Sequence, residues 1–380
     1  MRIAFVHKSF GLNGGTERML ESLVRGLRDR GHDVHVFCDR VDPRFQRARL
    51  ATFHRVPAGG PGSGLRALRL LIGSALRVRR KRFDVVVHMG RTGPRDVYRA
   101  GGGCHRTWFE LLRSRAEGTF ARLRLAWSLK HRIALWHERK ALLASSFVVP
   151  SERARDDLKA AYGSLADGVR VLPNGVDTDR FHPKGRRLFF GEQRDDLGIG
   201  PEELVLLFVG SDGWRKGLDR VLAALSRLAP RREELRLLVL GDDPHRATFE
   251  ATARSLGVRE RVTFLGAHPA PEKLYAATDL LVLPTRHDPF ANVTLEALAT
   301  GMPVITTGDN GAAREIGASE ALRVLEDPDD PEELAATIEE CLDPLGLPRL
   351  RDVAREVAVQ WAEDPFVDRW EAHLKEIAGG

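Results

Sequence analysis

Short apolar runs alternate with segments of helical periodicity along the first half of the chain. Apolar positions that recur with a helical period predict helices at 17–30 and 65–82. Because a strand, a glycine-rich loop, a helix and a second strand follow one another at the start, the pattern predicts a βαβ unit and hence a parallel sheet. Continuous apolar runs predict strands at 2–6, 32–38, 83–89, 96–100, 146–151 and the beginning of 169–181.

The same alternation restarts after the mixed, polar stretch 182–203, in which we place the domain linker. Strands are predicted at 204–210, 235–241, 262–266, 279–284 and 303–307. Helices are predicted at 217–228, 245–256, 270–277 and 292–300.

Two doubly wound halves predict an α/β protein with two Rossmann-like domains that face each other across a cleft. We expect an N-terminal domain over 1–185 and a C-terminal domain over 186–360. The last segment, 361–380, contains an amphipathic helix at 365–377, which we expect to pack back on the first domain.

Charge is distributed very unevenly between the halves, although the net charge of +6 is ordinary for 380 residues. Residues 1–185 hold 36 Lys+Arg and 17 Asp+Glu, which gives +19, whereas the remainder holds 23 and 36, which gives −13. Such a basic half predicts an anionic partner, and nucleic acid, anionic lipid or an acidic glycolipid would each qualify.

The cysteines and the apolar runs favour a cytoplasmic protein. Cys38, Cys104 and Cys341 are scattered and lack a CxxC spacing, so we expect reduced thiols and no zinc site. The first ten residues, MRIAFVHKSF, predict a strand rather than a signal peptide. No apolar run approaches the roughly 20 residues that span a bilayer.

The stretch RHDPFANVTLEALATGMPVITT (286–307) combines a turn, a helix start and a buried strand. Asp288 precedes the predicted helix, and Glu296 lies one turn inside it. Ligands of open parallel sheets bind at the carboxyl ends of strands, where helix N-termini attract phosphate and hydroxyl-rich groups. The two carboxylates are therefore placed to bind a polyol.

A second motif, GSDGWRKGLDR (210–220), follows the strand at 204–210. Arg215 and Lys216 enter a helix at the carboxyl end of this strand. A cationic pair in that position suits a diphosphate leaving group, whose developing charge needs stabilisation. A solvated surface pair is the alternative interpretation.

The first loop contains Gly11, Gly14 and Gly15, followed by Glu17 and Arg18 at a helix start. Amides there could bind a diphosphate. The spacing departs from the dinucleotide fingerprint G-x-G-x-x-G. Asp39, at the end of the second strand, keeps a nicotinamide enzyme open as an alternative, and a purely structural glycine turn is another.

His105 follows three glycines at the end of a first-domain strand, and a basic, aromatic-rich segment comes after it. Residues 106–140 hold 9 Lys/Arg and 3 Asp/Glu and predict a hairpin of two amphipathic helices. Basic and aromatic side chains together favour a membrane surface over a simple helix pair packed on the core. The candidate acceptor or membrane residues are Trp108, Arg113, Arg115, Arg122, Arg124, Trp127, Lys130 and Arg132.

The motifs GGTER, PNGVD, GSDGWRKG and DPFANVTLEALATGMPVI resemble those of family 4 glycosyltransferases of the GT-B fold, in order and over nearly the whole chain. Within that family the chain is most similar to lipopolysaccharide core glucosyltransferases. The resemblance implies a retaining transfer from a nucleotide diphosphate sugar, with UDP-glucose as the expected donor and no metal or other cofactor.

The resemblance also implies roles for particular residues. Gly14 and Gly15 would line the diphosphate, Arg215 and Lys216 would bind its oxygens, and Glu296 would hold the ribose. Asp288, where the family usually has glutamate, would face the donor sugar, and His105 would lie beside it. Further implied donor contacts are Glu17, Arg180, Gly210, Ala291, where relatives often have glycine, and Asn292.

We therefore expect a cytoplasmic enzyme, peripherally bound to the inner face of the plasma membrane, that glucosylates a lipopolysaccharide-core or other lipid-linked acceptor. The acceptor would bind the basic first domain, and nucleic acid is not expected because no recognition element is found. A family member with a soluble acceptor, a nicotinamide oxidoreductase and a non-catalytic nucleotide-sugar binder are the alternatives.

Overall fold

The computed structural model describes residues 1–11, 14–59, 63–79, 82–90, 92–93, 96–116, 118–144 and 146–379. Within these ranges, only the backbone is described at 63–68, 79, 121, 122 and 144. The chain divides into two compact units. Met1–Gly175 and Glu363–Gly380 form the first, and Val176–Ala362 forms the second.

The first unit contains a seven-stranded parallel sheet in the order β5-β3-β1-β6-β7-β8-β9, and β2 pairs with β4 outside it. Its inner strands are continuous apolar runs because both faces of the sheet are covered. In β1, for example, Ile3, Ala4, Phe5 and Val6 are all fully buried. The strands are β1 (Arg2–Val6), β2 (Ser9–Phe10), β3 (Asp33–Cys38), β4 (Arg40–Val41), β5 (Thr52–Arg55), β6 (Val85–Met89), β7 (Val97–Arg99), β8 (Ser146–Val149) and β9 (Arg170–Val171).

Helices connect these strands, and the basic segment after His105 forms three of them. The prediction of a two-helix hairpin over 106–140 is therefore wrong, because Gly118 and the turn before Leu129 divide the segment into α4, α5 and α6. The helices are α1 (Gly15–Asp29), α2 (Pro43–Arg47), α3 (Ser63–Arg79), α4 (His105–Arg115), α5 (Thr119–Ala126), α6 (Leu129–Ala144) and α7 (Glu152–Tyr162), and a 3₁₀ turn spans Gly163–Ala166.

The second unit contains a six-stranded parallel sheet in the order β12-β11-β10-β13-β14-β15. When the strands are numbered in chain order, this is the 3-2-1-4-5-6 arrangement of a Rossmann sheet. The strand order reverses between β10 and β13, which are parallel neighbours. The strands are β10 (Leu204–Val209), β11 (Leu235–Leu240), β12 (Val262–Gly266), β13 (Leu280–Leu283), β14 (Val304–Thr307) and β15 (Leu322–Leu325).

The helices of the second unit include one that the sequence did not predict. The stretch 182–203, where we expected the linker, forms α8, and the units divide after Gly175 instead. The helices are α8 (Lys184–Asp196), α9 (Gly213–Lys216), α10 (Leu218–Leu228), α11 (Arg246–Ser255), α12 (Pro271–Ala277), α13 (Asn292–Ala299), α14 (Gly311–Ile316), α15 (Pro331–Cys341) and α16 (Leu347–Val359), and a 3₁₀ turn spans Arg259–Arg261.

The last helix, α17 (Glu363–Gly379), packs against α1 in the first unit. Phe366, Val367, Trp370 and Leu374 are buried in this contact. A Cβ atom at Gly26 would lie 2.5 Å from Val367 Cγ2, so the glycine allows the two helices to approach closely. The predicted α/β fold, with a final helix that returns to the first domain, is confirmed.

Candidate functional site

The second sheet brings two of the predicted motifs together at its switch point. The GSDGWRKG loop follows β10, and the HDPFAN loop follows β13, which is the neighbour of β10. Their strands are parallel, so both loops leave the sheet at its carboxyl edge, where open α/β sheets bind ligands. The geometry confirms that these distant stretches of sequence lie next to each other.

A buried ionic cluster links the two loops. The carboxylate of Asp288 accepts hydrogen bonds from Lys216 Nζ and from Arg215 Nη1, the latter at 3.1 Å. Arg215 Nη1 also donates to the backbone oxygen of His287 at 2.9 Å. Lys216 and Asp288 are almost completely buried, whereas the Arg215 side chain keeps 24% of its exposure. Arg215 therefore remains partly accessible beside the buried ion pair of Lys216 and Asp288.

The ionisation of this cluster follows from burial and charge. Burial raises the pKa of the Asp288 carboxyl, but the charges and hydrogen bonds of Lys216 and Arg215 outweigh it, so the pKa lies well below its ordinary value. Burial lowers the pKa of Lys216, and the charge of Asp288 partly offsets that effect. Asp288 thus helps Lys216 to remain a cation in an environment that disfavours charge.

Glycines make room for this cluster. A Cβ atom at Gly210 would lie 2.9 Å from Lys216 Cγ, so the side chain of Lys216 can pass only over a glycine. Gly217 has a φ of +84°, and a Cβ atom there would lie 2.1 Å from the backbone oxygen of Pro284. The loops after β10 and β13 can therefore pack tightly at these two glycines.

Further hydrogen bonds fix the Arg215 backbone against the second loop. The backbone oxygen of Arg215 accepts from Thr285 Oγ1 at 2.9 Å and from the backbone amide of Arg286 at 2.8 Å. Arg286 also forms two hydrogen bonds with Asp219, at 2.8 and 2.7 Å, and its guanidinium lies over the ring of Trp214. Arg215 and Lys216 are thereby held on a rigid support rather than on a mobile loop.

Glu296 lies on α13, and its partner was not predicted. Tyr275 donates its hydroxyl to Glu296 Oε2 at 2.9 Å, and both side chains are buried. Periodicity could not reveal this contact, because a tyrosine in an apolar helix segment is typical of the core. Tyr275 orients the carboxylate that the resemblance assigns to the ribose.

The start of α13 is fixed by Asn310. Its side-chain oxygen accepts from the amide of Ala291 at 3.3 Å, and its amide donates to Thr294 and Thr306 at 2.8 and 3.1 Å. Ala291 is buried at the N-cap position, and Asn292 is the half-buried first residue of the helix. Both lie beside Asp288, as the sequence placed them.

Arg180 has a different neighbour in the structure. It forms a two-pronged ion pair with Glu272 in the first turn of α12, at 3.1 and 2.8 Å. Arg180 therefore has a structural role besides the minor donor contact we predicted.

In the first unit, Gly14 is the N-cap of α1, and Gly15 is its first residue. A Cβ atom at Gly14 would lie within 4 Å of no atom of the described residues. Glu17 is buried and accepts a hydrogen bond from the hydroxyl of Ser9. Glu17 therefore braces the loop, which is a structural role besides the donor contact we predicted. Leu12 and Asn13 of the same loop lie outside the described residues.

His105 begins α4 beside a pocket of about 340 Å³ at the carboxyl end of β7. Its backbone amide donates to Glu138 at 2.6 Å, and its ring Nε2 lies 3.2 Å from His131 Nδ1. Glu138 also accepts from the hydroxyl of Tyr162 at 2.7 Å. Because a carboxylate from α6 caps α4, the position of His105 depends on the helices that follow it.

Trp108, which we predicted as an acceptor or membrane residue, lies in the same pocket rather than on the exposed surface. It is half-buried and lines the pocket with His105 and three consecutive glycines, Gly101 to Gly103. A position one turn after His105 on α4 directs it inward. An indole ring beside a polar pocket is suited to stacking on a sugar ring.

The other predicted membrane residues are on the surface. Arg113, Arg115, Arg124, Lys130, Arg132 and Trp127 are exposed, and the Arg122 side chain lies outside the described residues. Among large apolar side chains on α5 and α6 and between them, the most exposed are Phe120 at 80%, Trp127 at 75% and Leu129 at 69%. None of the described helices is both long and apolar enough to cross a membrane.

Comparisons with known proteins place both halves in the same group of enzymes. Residues 13–180 match the family described as Glycosyltransferase Family 4, and residues 189–353 match the family described as Glycosyl transferases group 1. Lipopolysaccharide glucosyltransferase WaaG of Escherichia coli (strain K12) is 27% identical over 350 residues, which are 90% of each chain. The D-inositol 3-phosphate glycosyltransferase of Nocardia farcinica (strain IFM 10152) is 33% identical over 60% of this chain and 52% of its own.

Similar solved structures also include glycosyltransferases. The crystal structure of WaaG, described as a glycosyltransferase involved in lipopolysaccharide biosynthesis, covers 100% of both chains with a TM-score of 0.81 and 26% identity. Anabaena HepE in complex with UDP and glucose covers 99% of this chain and 100% of its own, with a TM-score of 0.75 and 19% identity. The second likeness is one of fold alone.

Proposed function

Because the chain belongs to the family 4 glycosyltransferases of the GT-B fold, we propose that it transfers glucose from UDP-glucose to a lipopolysaccharide-core or similar lipid-linked acceptor, with retention of anomeric configuration. The observation that carries this proposal is the cationic pair of Arg215 and Lys216 at the switch point of the second sheet, beside Asp288 and the start of α13.

Arg215 and Lys216 act on the leaving group. When the bond between the sugar C1 and the diphosphate oxygen breaks, negative charge develops on that oxygen, and two fixed cations stabilise it. In a retaining transfer the acceptor hydroxyl bonds to C1 on the same face, and its proton passes to the departing diphosphate. This step requires no metal ion, because the two side chains supply the positive charge.

Asp288 and Glu296 divide the binding of the donor. Glu296, oriented by Tyr275, accepts hydrogen bonds from the ribose hydroxyls. Asp288 stabilises the charged form of Lys216, and its carboxylate accepts further hydrogen bonds from the sugar hydroxyls. Its side chain is one methylene shorter than the glutamate usual in this family, which suits its direct contact with both cations.

His105 contributes to catalysis by binding the donor sugar, and the first domain binds the acceptor. The pocket with Trp108 and the three glycines offers an aromatic face and polar groups for a sugar. The +19 charge of residues 1–185 suits an acceptor that carries phosphate or carboxylate groups.

We also propose that the exposed side chains around α5 bind the anionic inner face of the plasma membrane. The membrane surface is defined here by Phe120, Leu123, Trp127 and Leu129, with Arg124, Lys130 and Arg132 beside them. Aromatic and apolar side chains would enter the headgroup region, while the cations attract anionic lipid.

A soluble acceptor is the second candidate, because several similar proteins are named D-inositol 3-phosphate glycosyltransferases. Such an enzyme would need no membrane surface, so vesicle binding separates the two. The donor is identified by a panel of nucleotide sugars, scored by thermal shift and by release of free nucleotide. UDP-glucose should give the largest response, and a response to no nucleotide sugar would refute the proposed donor.

A further inference from the structure

A pocket of about 370 Å³ opens on the second unit at the edge of the sheet opposite the proposed donor site. Thr278 and Met302 line it, and they precede β13 and β14 respectively. Arg215 and Asp288, in contrast, follow β10 and β13. Because the strands are parallel, the pocket lies at the amino edge of the sheet and is separate from the donor residues.

The pocket is built around an excess of positive charge. Asp279, whose side chain is 3% exposed, accepts hydrogen bonds from Arg186 at 2.7 Å, Arg194 at 2.7 Å and Arg351 at 2.9 Å. It also accepts from the backbone amide of Val205 at 3.0 Å. One carboxylate with four donors has no remaining lone pair for another partner, so it compensates one of three guanidinium charges.

Arg194 has a purely structural role in this cluster. It is 3% exposed, and its guanidinium donates to the backbone oxygens of Ala277, Gly200 and Glu203 as well as to Asp279. All three of its nitrogens are occupied. Arg194 therefore joins α8 to the start of β13, and it does not line the pocket.

Arg186, Arg351 and Arg355 differ because they line the pocket and have nitrogens without an acceptor among the described residues. Arg186 donates through Nη1 to the backbone oxygen of Thr278 and through Nη2 to Asp279, which leaves its Nε. The side chains of Arg186 and Arg351 keep 29% and 28% of their exposure. Arg351 donates only through Nη2, and Arg355 only through Nη1, to any partner among the described residues. Arg351 and Arg355 therefore retain N–H groups without an acceptor among the described residues, and guanidinium N–H groups bind phosphate oxygens well.

Two carboxylates lie at the rim of the same pocket. Asp352 and Glu356 are exposed and form no ion pair with the pocket arginines within the described part of the chain. They would repel a free multivalent anion but accept hydrogen bonds from hydroxyl groups. Thr300 adds a side-chain hydroxyl to the lining.

We propose that this pocket binds a phosphorylated polyol of sugar-phosphate size, with the phosphate on Arg186, Arg351 and Arg355 and the hydroxyl groups toward Asp352 and Glu356. The site is independent of the proposed donor and acceptor.

Isothermal titration calorimetry of the full-length protein tests the proposal with three probes: inorganic phosphate, glucose 6-phosphate and glucose. We expect glucose 6-phosphate to bind more tightly than phosphate, and glucose not to bind. Saturating UDP should leave this binding unchanged. Absence of binding by both phosphate compounds, or its loss in the presence of UDP, would overturn the proposal.

Two variants and a control locate the site. Arg351→Gln should weaken glucose 6-phosphate binding roughly tenfold or more, because a charged donor pair is lost. Arg349→Gln is the matched control, since Arg349 is exposed on the same helix and pairs with Glu320 outside the pocket. Equal affinity in Arg351→Gln and Arg349→Gln would contradict the site.

Glu356→Gln keeps the test informative even if Arg351→Gln does not fold, because Glu356 is exposed. Removal of its charge should tighten binding of inorganic phosphate by roughly two- to fivefold. Unchanged or weaker phosphate binding in Glu356→Gln would contradict the proposed placement of the phosphate.

Discussion

Lys216 and Asp288 form a buried ion pair across 72 residues of sequence, and Arg215 joins it from the exposed side. A lone buried lysine or aspartate would be strongly unfavourable, so each residue stabilises the charged form of the other. The pair fixes the distance between the loops after β10 and β13. It therefore prepares the proposed diphosphate site before any ligand arrives.

Asp288→Asn should destabilise the second unit by roughly 3–5 kcal/mol at neutral pH, because it leaves Lys216 buried without a counterion. The effect should depend on pH with a definite sign. The folded-state pKa of Asp288 lies below its unfolded value of 3.8, so its stabilising contribution is present above about pH 4 and is lost as the pH falls further. Urea denaturation of both proteins between about pH 3 and pH 7 measures this dependence.

The difference in unfolding free energy between the wild type and Asp288→Asn should thus narrow toward acidic pH. Asp309→Asn is a suitable control because Asp309 is a nearby, less buried carboxylate. A difference that is constant over the whole range would show that folding does not lower the pKa of Asp288.

Tyr275→Phe should weaken UDP binding by roughly three- to tenfold, because Glu296 loses the hydrogen bond that orients it. The maximal turnover with saturating donor should change less than the KM for the donor. Tyr162→Phe is the matched control, since Tyr162 donates to Glu138 in the first unit. Equal UDP affinity in Tyr275→Phe and the wild type would remove the positioning role of Tyr275.

His105→Ala should lower turnover by roughly a hundredfold with little effect on UDP affinity, as expected for a side chain that acts on the sugar. His131→Ala tests whether the neighbouring ring, 3.2 Å from His105 Nε2, orients it, and a smaller loss is expected. Full turnover of His105→Ala with a true substrate would contradict the proposed catalytic role of His105.

Replacement of both Phe120 and Trp127 by serine should reduce binding to vesicles of anionic lipid, since these are the most exposed aromatic side chains of the membrane surface. Cosedimentation at low and high salt measures the apolar and the ionic contributions. Leu345→Ser, at a residue 92% exposed in the second unit, serves as the control. If the wild type fails to bind such vesicles at low salt, the soluble-acceptor alternative is favoured.

Much of the fold was predictable because central parallel strands are continuous apolar runs, and glycines mark the turns that follow them. The motif loops were placed at the carboxyl edge for the same reason. The pairing of Asp288 with Lys216 was not foreseen, since sequence shows which edge a side chain occupies but not which neighbour it contacts.

Helix α8, the pairing of β2 with β4 and the role of Tyr275 are harder to predict from the sequence. Helix α8 was mistaken for a linker because charged residues surround Leu188, Phe189 and Phe190, and because the burial of Arg194 depends on Asp279, 85 positions away. The strand pair of Ser9–Phe10 with Arg40–Val41 is too short to produce a pattern. Tyr275 was overlooked because only its hydroxyl distinguishes it from a core aromatic residue.

The proposed role of the cationic pair is tested by the turnover of UDP-glucose by the wild type, Arg215→Ala and Lys216→Ala. Arg231→Ala is the control, since Arg231 is an exposed arginine that pairs with Glu339. UDP release in the presence of a lipopolysaccharide-core acceptor measures the rate, and NMR of the product gives the anomeric configuration. We predict a retained product and a loss in kcat of roughly a hundredfold or more in each active-site variant, comparable to removal of an oxyanion donor. Unchanged kcat in both variants, or an inverted product, would contradict the proposed role of the cationic pair.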